Sequence, residues 1–116
     1  MAHRDCVFCR IVDGDIQAEV LREDDDTLAF RDLDPKAPVH VLVIPKRHIA
    51  SVNDVTESDR TVMGSLFLAA RDVARREQLA ERGYRVVMNT GADAGQSVDH
   101  AHLHVLGGRQ MTWPPG

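Results

Sequence analysis

The chain has 116 residues, 43% of them hydrophobic, and a formal net charge of -4 with its histidines neutral. This length fits a single domain, with a core over about residues 5–110 and a C-terminal tail over 111–116, and the apolar share excludes a disordered chain. The acidic balance argues against general binding to nucleic acid or to an anionic membrane, and no apolar run approaches the ~18 residues of a membrane span.

Met1-Ala2-His3-Arg4-Asp5 leads into no hydrophobic signal segment, so a cytoplasmic protein is expected. Cys6 and Cys9 are spaced C-x-x-C. In a reducing cytosol that spacing points to metal or redox chemistry more than to a structural disulfide. Residues 6–13 read as a short helix, with Val7, Phe8 and Ile11 on one side and Gly14 able to stop it in a left-handed conformation. Residues 20–22 and 27–31 read as two strands around an acidic turn. Residues 32–38, with Pro35 and Pro38, form a loop. His40–Ile44 is a β-branched run suited to a central strand that Pro45 ends.

The longest helix is expected to start near Thr56, where Thr56-Glu57-Ser58-Asp59 resembles a capping box. Val62, Leu66, Ala69, Ala70 and Val73 keep helical spacing, and Gly83 is the expected residue just past its end. Residues 84–89 read as a strand, 90–95 as a glycine-containing loop and 101–106 as a last strand. The tail 111–116 is irregular, and its Trp113, the only tryptophan, is expected to dock somewhere. Strands outnumber helices and do not alternate with them, which indicates an α+β fold with an antiparallel sheet. A core this small makes self-association a reasonable expectation.

The chemistry concentrates in Asp99-His100-Ala101-His102-Leu103-His104-Val105. In an extended strand, positions i, i+2 and i+4 share a face, so His100, His102 and His104 line one side while Ala101, Leu103 and Val105 meet a core. His102 is central and is the candidate nucleophile. A neutral imidazole attacks through one nitrogen when a backbone carbonyl holds the N–H of the other. His100 and His104 are then donors to phosphate oxygens. Gln96 and Ser97 follow Gly91 and Gly95, a loop whose amides can cradle phosphate or simply make a hairpin turn. Two metal readings stand beside this. An H-x-H pair can hold a hydrolytic zinc. Cys6 and Cys9 can hold a structural zinc with His48 and His100, or can simply pack at a helix start. By position alone Asp32 is a turn cap.

The motif His100-Ala101-His102-Leu103-His104-Val105-Leu106 resembles the histidine triad (HIT) family, and is closer still to its Hint branch of nucleotide-binding proteins. Gly95-Gln96-Ser97-Val98, Gly107-Gly108-Arg109-Gln110-Met111, Trp113-Pro114-Pro115-Gly116, Phe30-Arg31-Asp32, Ala37-Pro38 and the run from His40 to Ile49 carry the same likeness, which spans nearly the whole chain. The resemblance implies a five-stranded antiparallel sheet with one long and one short helix, joined into ten strands across a homodimer. It implies a purine nucleoside phosphoramidase that also takes acyl-adenylates. His102 attacks the α-phosphorus, the amine leaves, and water releases AMP or GMP from a nucleotidyl-histidine. It places His100 as the carbonyl that orients His102, and His104, Ser97, Gln96 and Asn89 on the phosphate. His40 becomes a further active-site histidine. Asp32 becomes the ribose-binding acid, and Phe8, Ile11, Phe30 and Leu33 surround the base. It needs no catalytic cofactor. Some C-x-x-C members carry a structural zinc, on positions that match Cys6, Cys9, His48 and His100.

The chain departs from the pattern at Asp99, where an aromatic residue is common, and at Thr112, where a histidine is frequent. Both bear on substrate preference. Two other functions remain open at this point: a nucleotide-binding regulatory or scaffold protein with weak hydrolase activity, and a metal hydrolase that uses the histidine row as ligands.

Overall fold

The computed structural model describes residues 5–116. The leader reading of the N-terminus rests on residues 1–4, which lie outside them. The elements in order are α1 (Val7–Val12), β1 (Val20–Glu23), β2 (Thr27–Arg31), β3 (Val39–Pro45), α2 (Arg60–Arg76), β4 (Tyr84–Val87) and β5 (Leu103–Gly107). The strands form one antiparallel five-stranded sheet in the order β1-β2-β3-β5-β4. The α+β expectation holds.

Alternation along the strands gives the sheet two different faces. Ala29, Val41, Val43, Leu103 and Val105 point to one face, where Leu66, Ala69, Ala70 and Val73 of α2 cover them. Leu28, Phe30, Leu42 and Ile44 point to the other, where Phe8 of α1 packs with them. The apolar stripe read along α2 is the stripe that is buried. β3 lies at the centre, paired on both sides. It runs one residue past its expected end and includes Pro45, whose missing N–H is tolerated at the last rung of the ladder.

Boundaries shift in several places. The Thr56–Asp59 box forms, with the Thr56 amide donating to Asp59 Oδ2 at 2.8 Å, but it opens a 3₁₀ turn (Glu57–Asp59) that leads into α2. Gly14, with φ of 84°, follows α1 as expected, since that conformation costs glycine nothing. Gly83 does not follow α2. Gln78, at φ of 63°, takes the left-handed position, its amide bonding Arg75 O while the Leu79 amide bonds Ala74 O. That is the double closure of a Schellman motif, and buried Leu79 supplies its apolar anchor. β4 stops at Val87 rather than 89, and β5 begins at Leu103 rather than 101. Residues 111–116 have no regular structure. Trp113 does not dock among the described residues, being 82% exposed.

Candidate active site

His40 on β3 and His104 on β5 reach the α1 side of the sheet. His104 pairs directly with Leu42, so their side chains share a face, and His40 is two positions before Leu42. His40 Nε2 lies 2.9 Å from His104 Nδ1 and 3.4 Å from Asp32 Oδ2. The Lys36 amide donates to His40 Nδ1 at 3.0 Å. Burial among neighbouring imidazoles holds the His104 ring well below its ordinary pKa, at about 4, with His102 and His40 adding to the effect and Asp32 opposing it. Burial likewise lowers His40. Both rings are therefore neutral at pH 7.

His102 precedes β5 and is only 3% exposed. Its Nδ1 is 2.7 Å from the carbonyl of His100. A carbonyl can only accept, so Nδ1 carries a proton, and in the neutral ring Nε2 keeps its lone pair. The ring packs edge-on against Phe8, with centroids 5.1 Å apart, and beside His104 at 4.9 Å.

The expected row of three imidazoles is not a row. His100 lies in a bend before β5, where strand alternation no longer governs the side chain. The Ala101 amide is tied to Ile49 O at 2.7 Å, and the fully buried His100 ring turns to Pro45 O, with its Nε2 at 2.8 Å. A buried imidazole N–H needs an acceptor, and this carbonyl is the one it finds. The proton on Nε2 leaves the Nδ1 lone pair facing Cys6 Sγ at 3.3 Å and Cys9 Sγ at 3.5 Å. His48 Nδ1 is 3.3 Å from Cys9 Sγ. His100 therefore offers its carbonyl to the active site and its ring to the cysteines, so its ring is no phosphate donor.

Beside His102 and His104 is a cleft of about 260 Å³. Phe8, Ile11, Phe30 and Asp32 line it, with Ser97 at one side. Leu33 is at its rim, 95% exposed. Asp32 also caps its own turn, Oδ1 accepting from the Asp34 amide at 2.8 Å, so the positional reading and the site reading coexist. Gln96 and Asn89 do not line the cleft. Both donors of the Gln96 amide are used on Ala50 O and Val98 O, at 2.7 and 3.0 Å, and its Oε1 accepts from the Gly91 amide. Its backbone N–H goes to Gly91 O. Gln96 braces the loop and has no donor left for a phosphate. Asn89 stands half-buried just beyond β4.

A HIT domain family model matches residues 13–111. The chain belongs to the HIT family. An uncharacterized HIT-like protein of Synechococcus elongatus is 48% identical over 97% of both chains. The fold is similar to that of a HIT family hydrolase from Legionella pneumophila, with a TM-score of 0.94 and 52% identity over 97% of this chain and all of that one. A histidine triad nucleotide-binding protein from Candida albicans aligns at a TM-score of 0.82 and 31% identity over 95% of this chain and 83% of that one.

In this HIT domain the carboxylate and rings of Asp32, His40 and His104 also lie close enough together to raise a metal reading. The 2.9 Å between the two ring nitrogens is a hydrogen bond. Two nitrogens on one tetrahedral zinc stand about 3.3 Å apart, given bonds of ~2.0 Å. Larger hollows, about 480 and 340 Å³, lie at the β4 end beside Arg82 and Arg109, away from the histidines. Sequence reasoning missed Leu42, Ala18 and Val98, which also line the cleft. Leu42 was recoverable, because it shares the strand face of His40. Ala18 and Val98 lie in irregular segments that carry no periodic signal.

Proposed function

We propose that this HIT protein is a hydrolase of the Hint type that releases AMP or GMP from purine nucleoside 5′-phosphoramidates or acyl-adenylates. The observation that carries this is the 2.7 Å bond from His102 Nδ1–H to the His100 carbonyl, which presents an unprotonated Nε2 beside an apolar, carboxylate-bearing cleft. The base lies between Phe8, Ile11, Phe30 and Leu33, and Asp32 accepts the ribose hydroxyls. The Nε2 lone pair attacks the α-phosphorus and the P–N bond breaks. The amine leaves with that electron pair and takes a proton from solvent. The nucleotidyl-imidazolium keeps Nδ1–H on the His100 carbonyl, which stabilises its charge. Water then attacks phosphorus, the Nε2–P bond breaks, and AMP and a proton depart from a neutral ring. His104 and Ser97 donate to the phosphate oxygens. Similarity to proteins named a HIT family hydrolase and a histidine triad nucleotide-binding protein supports the class.

The Cys6, Cys9, His48 and His100 donors all lie within 4.8 Å of one another. Their S–N separations of 3.3 to 3.5 Å match the edge of a tetrahedral zinc site, about 3.5 Å for ordinary Zn–S and Zn–N bonds. These residues fit a structural zinc, and four protein ligands leave no open position for chemistry. A homodimer completes the proposal. Tyr84 on edge strand β4 and Phe67 and Leu68 on α2 are large apolar side chains left exposed. Sedimentation at micromolar concentration should give twice the chain mass.

The test of the activity is AMP release from an adenosine 5′-phosphoramidate by the wild-type protein and by His102→Ala. Release by the first and none by the second is expected. Equal release would remove His102 as nucleophile, and nucleotide binding without release by either would favour the scaffold reading.

A further inference from the structure

The loop from Asp32 to Pro38 folds back on β3 through two bonds to one residue. The Asp32 amide donates to the His40 carbonyl at 3.0 Å, and the Lys36 amide donates to His40 Nδ1 at 3.0 Å. The second bond has a chemical consequence. An amide N–H only donates, so His40 Nδ1 must be the lone-pair nitrogen. In a neutral ring the proton is then on Nε2. Nε2–H faces His104 Nδ1 at 2.9 Å, so that nitrogen is an acceptor. The single proton of neutral His104 is thereby placed on Nε2, the nitrogen left free for the cleft that His104 lines. Asp32 Oδ2, 3.4 Å from His40 Nε2, favours the same arrangement more weakly because of its distance.

We propose that the backbone N–H of Lys36 is a positioning group, which sets the tautomers of His40 and His104 so that His104 offers an N–H rather than a lone pair to the substrate phosphate. This rests on the hydrolase reading above. With the opposite setting, His40 would carry its proton on Nδ1, His104 would donate back through its own Nδ1, and an unprotonated Nε2 would face the phosphate oxygens. That exchanges an attractive contact for a repulsive one at the place where negative charge concentrates in the transition state. Loss of one such donor typically slows turnover by 10²–10³-fold. The Lys36 side chain acts on His40 only through its charge and hydrogen-bonds elsewhere. It is exposed and pairs with Asp34 at 2.5 Å.

Backbone and side chain can therefore be separated. Lys36→Ala keeps the N–H, whereas Lys36→Pro removes it within a stretch that already holds Pro35 and Pro38. Long-range ¹H–¹⁵N spectra of the imidazoles at pH 7.5 read the tautomers directly, without substrate. Wild type and Lys36→Ala should both show Nε2–H on His40 and His104. Lys36→Pro should show Nδ1–H populations on both rings, with kcat for an adenosine phosphoramidate down at least 10-fold and KM changed less. Should the proline variant not fold, a backbone ester at position 36, which replaces only the N–H, is read in the same way. Unchanged tautomers in a folded variant lacking the N–H overturn the proposal. Changed tautomers with kcat at the wild-type level also overturn it. A wild-type protein that turns over no phosphoramidate yet shows the expected tautomers contradicts the hydrolase reading instead.

Discussion

The two faces of the sheet are built from the same strands and do opposite things. On the α2 face the cluster packed beneath the helix is aliphatic, with Ala29, Val41, Val43, Leu103 and Val105 in it. On the α1 face a six-residue helix covers only part of the surface, and the uncovered part holds histidines, a carboxylate and a cleft. Because alternate residues of a strand serve alternate faces, Val41 and Val43 stabilise the domain while His40 and Leu42 shape the site. The α2 face is thus given to packing, and the α1 face combines a second apolar cluster with buried polar rings. The cost of burying those rings is limited because each has a named partner: His102 the His100 carbonyl, His100 the Pro45 carbonyl, His40 the Lys36 amide.

The sharpest way to separate the faces is His102→Ala. It should reduce turnover by about 10³-fold or more while thermal unfolding moves little, measured as AMP release and calorimetry on the same sample. Phe8→Ala should blur the comparison. Its ring touches Phe30, His100 and His102 at 5.6, 5.8 and 5.1 Å, so it belongs to core and site together. A loss of about 3–5 kcal/mol in denaturant unfolding is expected, with a fall in kcat as well. Leu66→Ala on the closed face should cost about 2–5 kcal/mol and leave kcat per folded molecule unchanged.

A smaller effect comes from pH. His104 titrates near 4 in the folded protein against 6.5 when unfolded. Between those values the unfolded chain binds more protons, so stability is fully present above 6.5 and declines as pH falls toward 4. Denaturant midpoints at pH 7 and pH 5 should show that decline, and His104→Asn should flatten it. The smallest effect is expected at the loop brace. Gln96→Ala should raise KM a few-fold by loosening the segment that carries Ser97, without touching the chemical step.

Much of the α2 face was legible because two periods determine it, 3.6 along the helix and 2 along the strands. The site was legible in its parts and less so in its arrangement. His102 and His104 sit together as the spacing implies, but the same spacing wrongly carried His100 onto their wall. The strand period applies only while the backbone stays paired, and pairing starts at Leu103. The ring of His100 followed its hydrogen-bond needs to Pro45, a residue distant in sequence. Gln96 failed for a similar reason, since a long amide finds carbonyls such as Ala50 O that no local pattern announces. Trp113 followed the apolar rule in expectation and stands open among the described residues.

The most direct measurement is a single-turnover reaction with an adenosine 5′-phosphoramidate, stopped in denaturing alkali because a phosphorus–nitrogen bond is acid-labile, followed by peptide mass mapping. Early time points should carry one adenylyl group on the peptide containing His102, decaying as AMP appears. AMP formed at the same rate with no such adduct at any time, or an adduct on a different residue, would contradict nucleophilic attack by that ring.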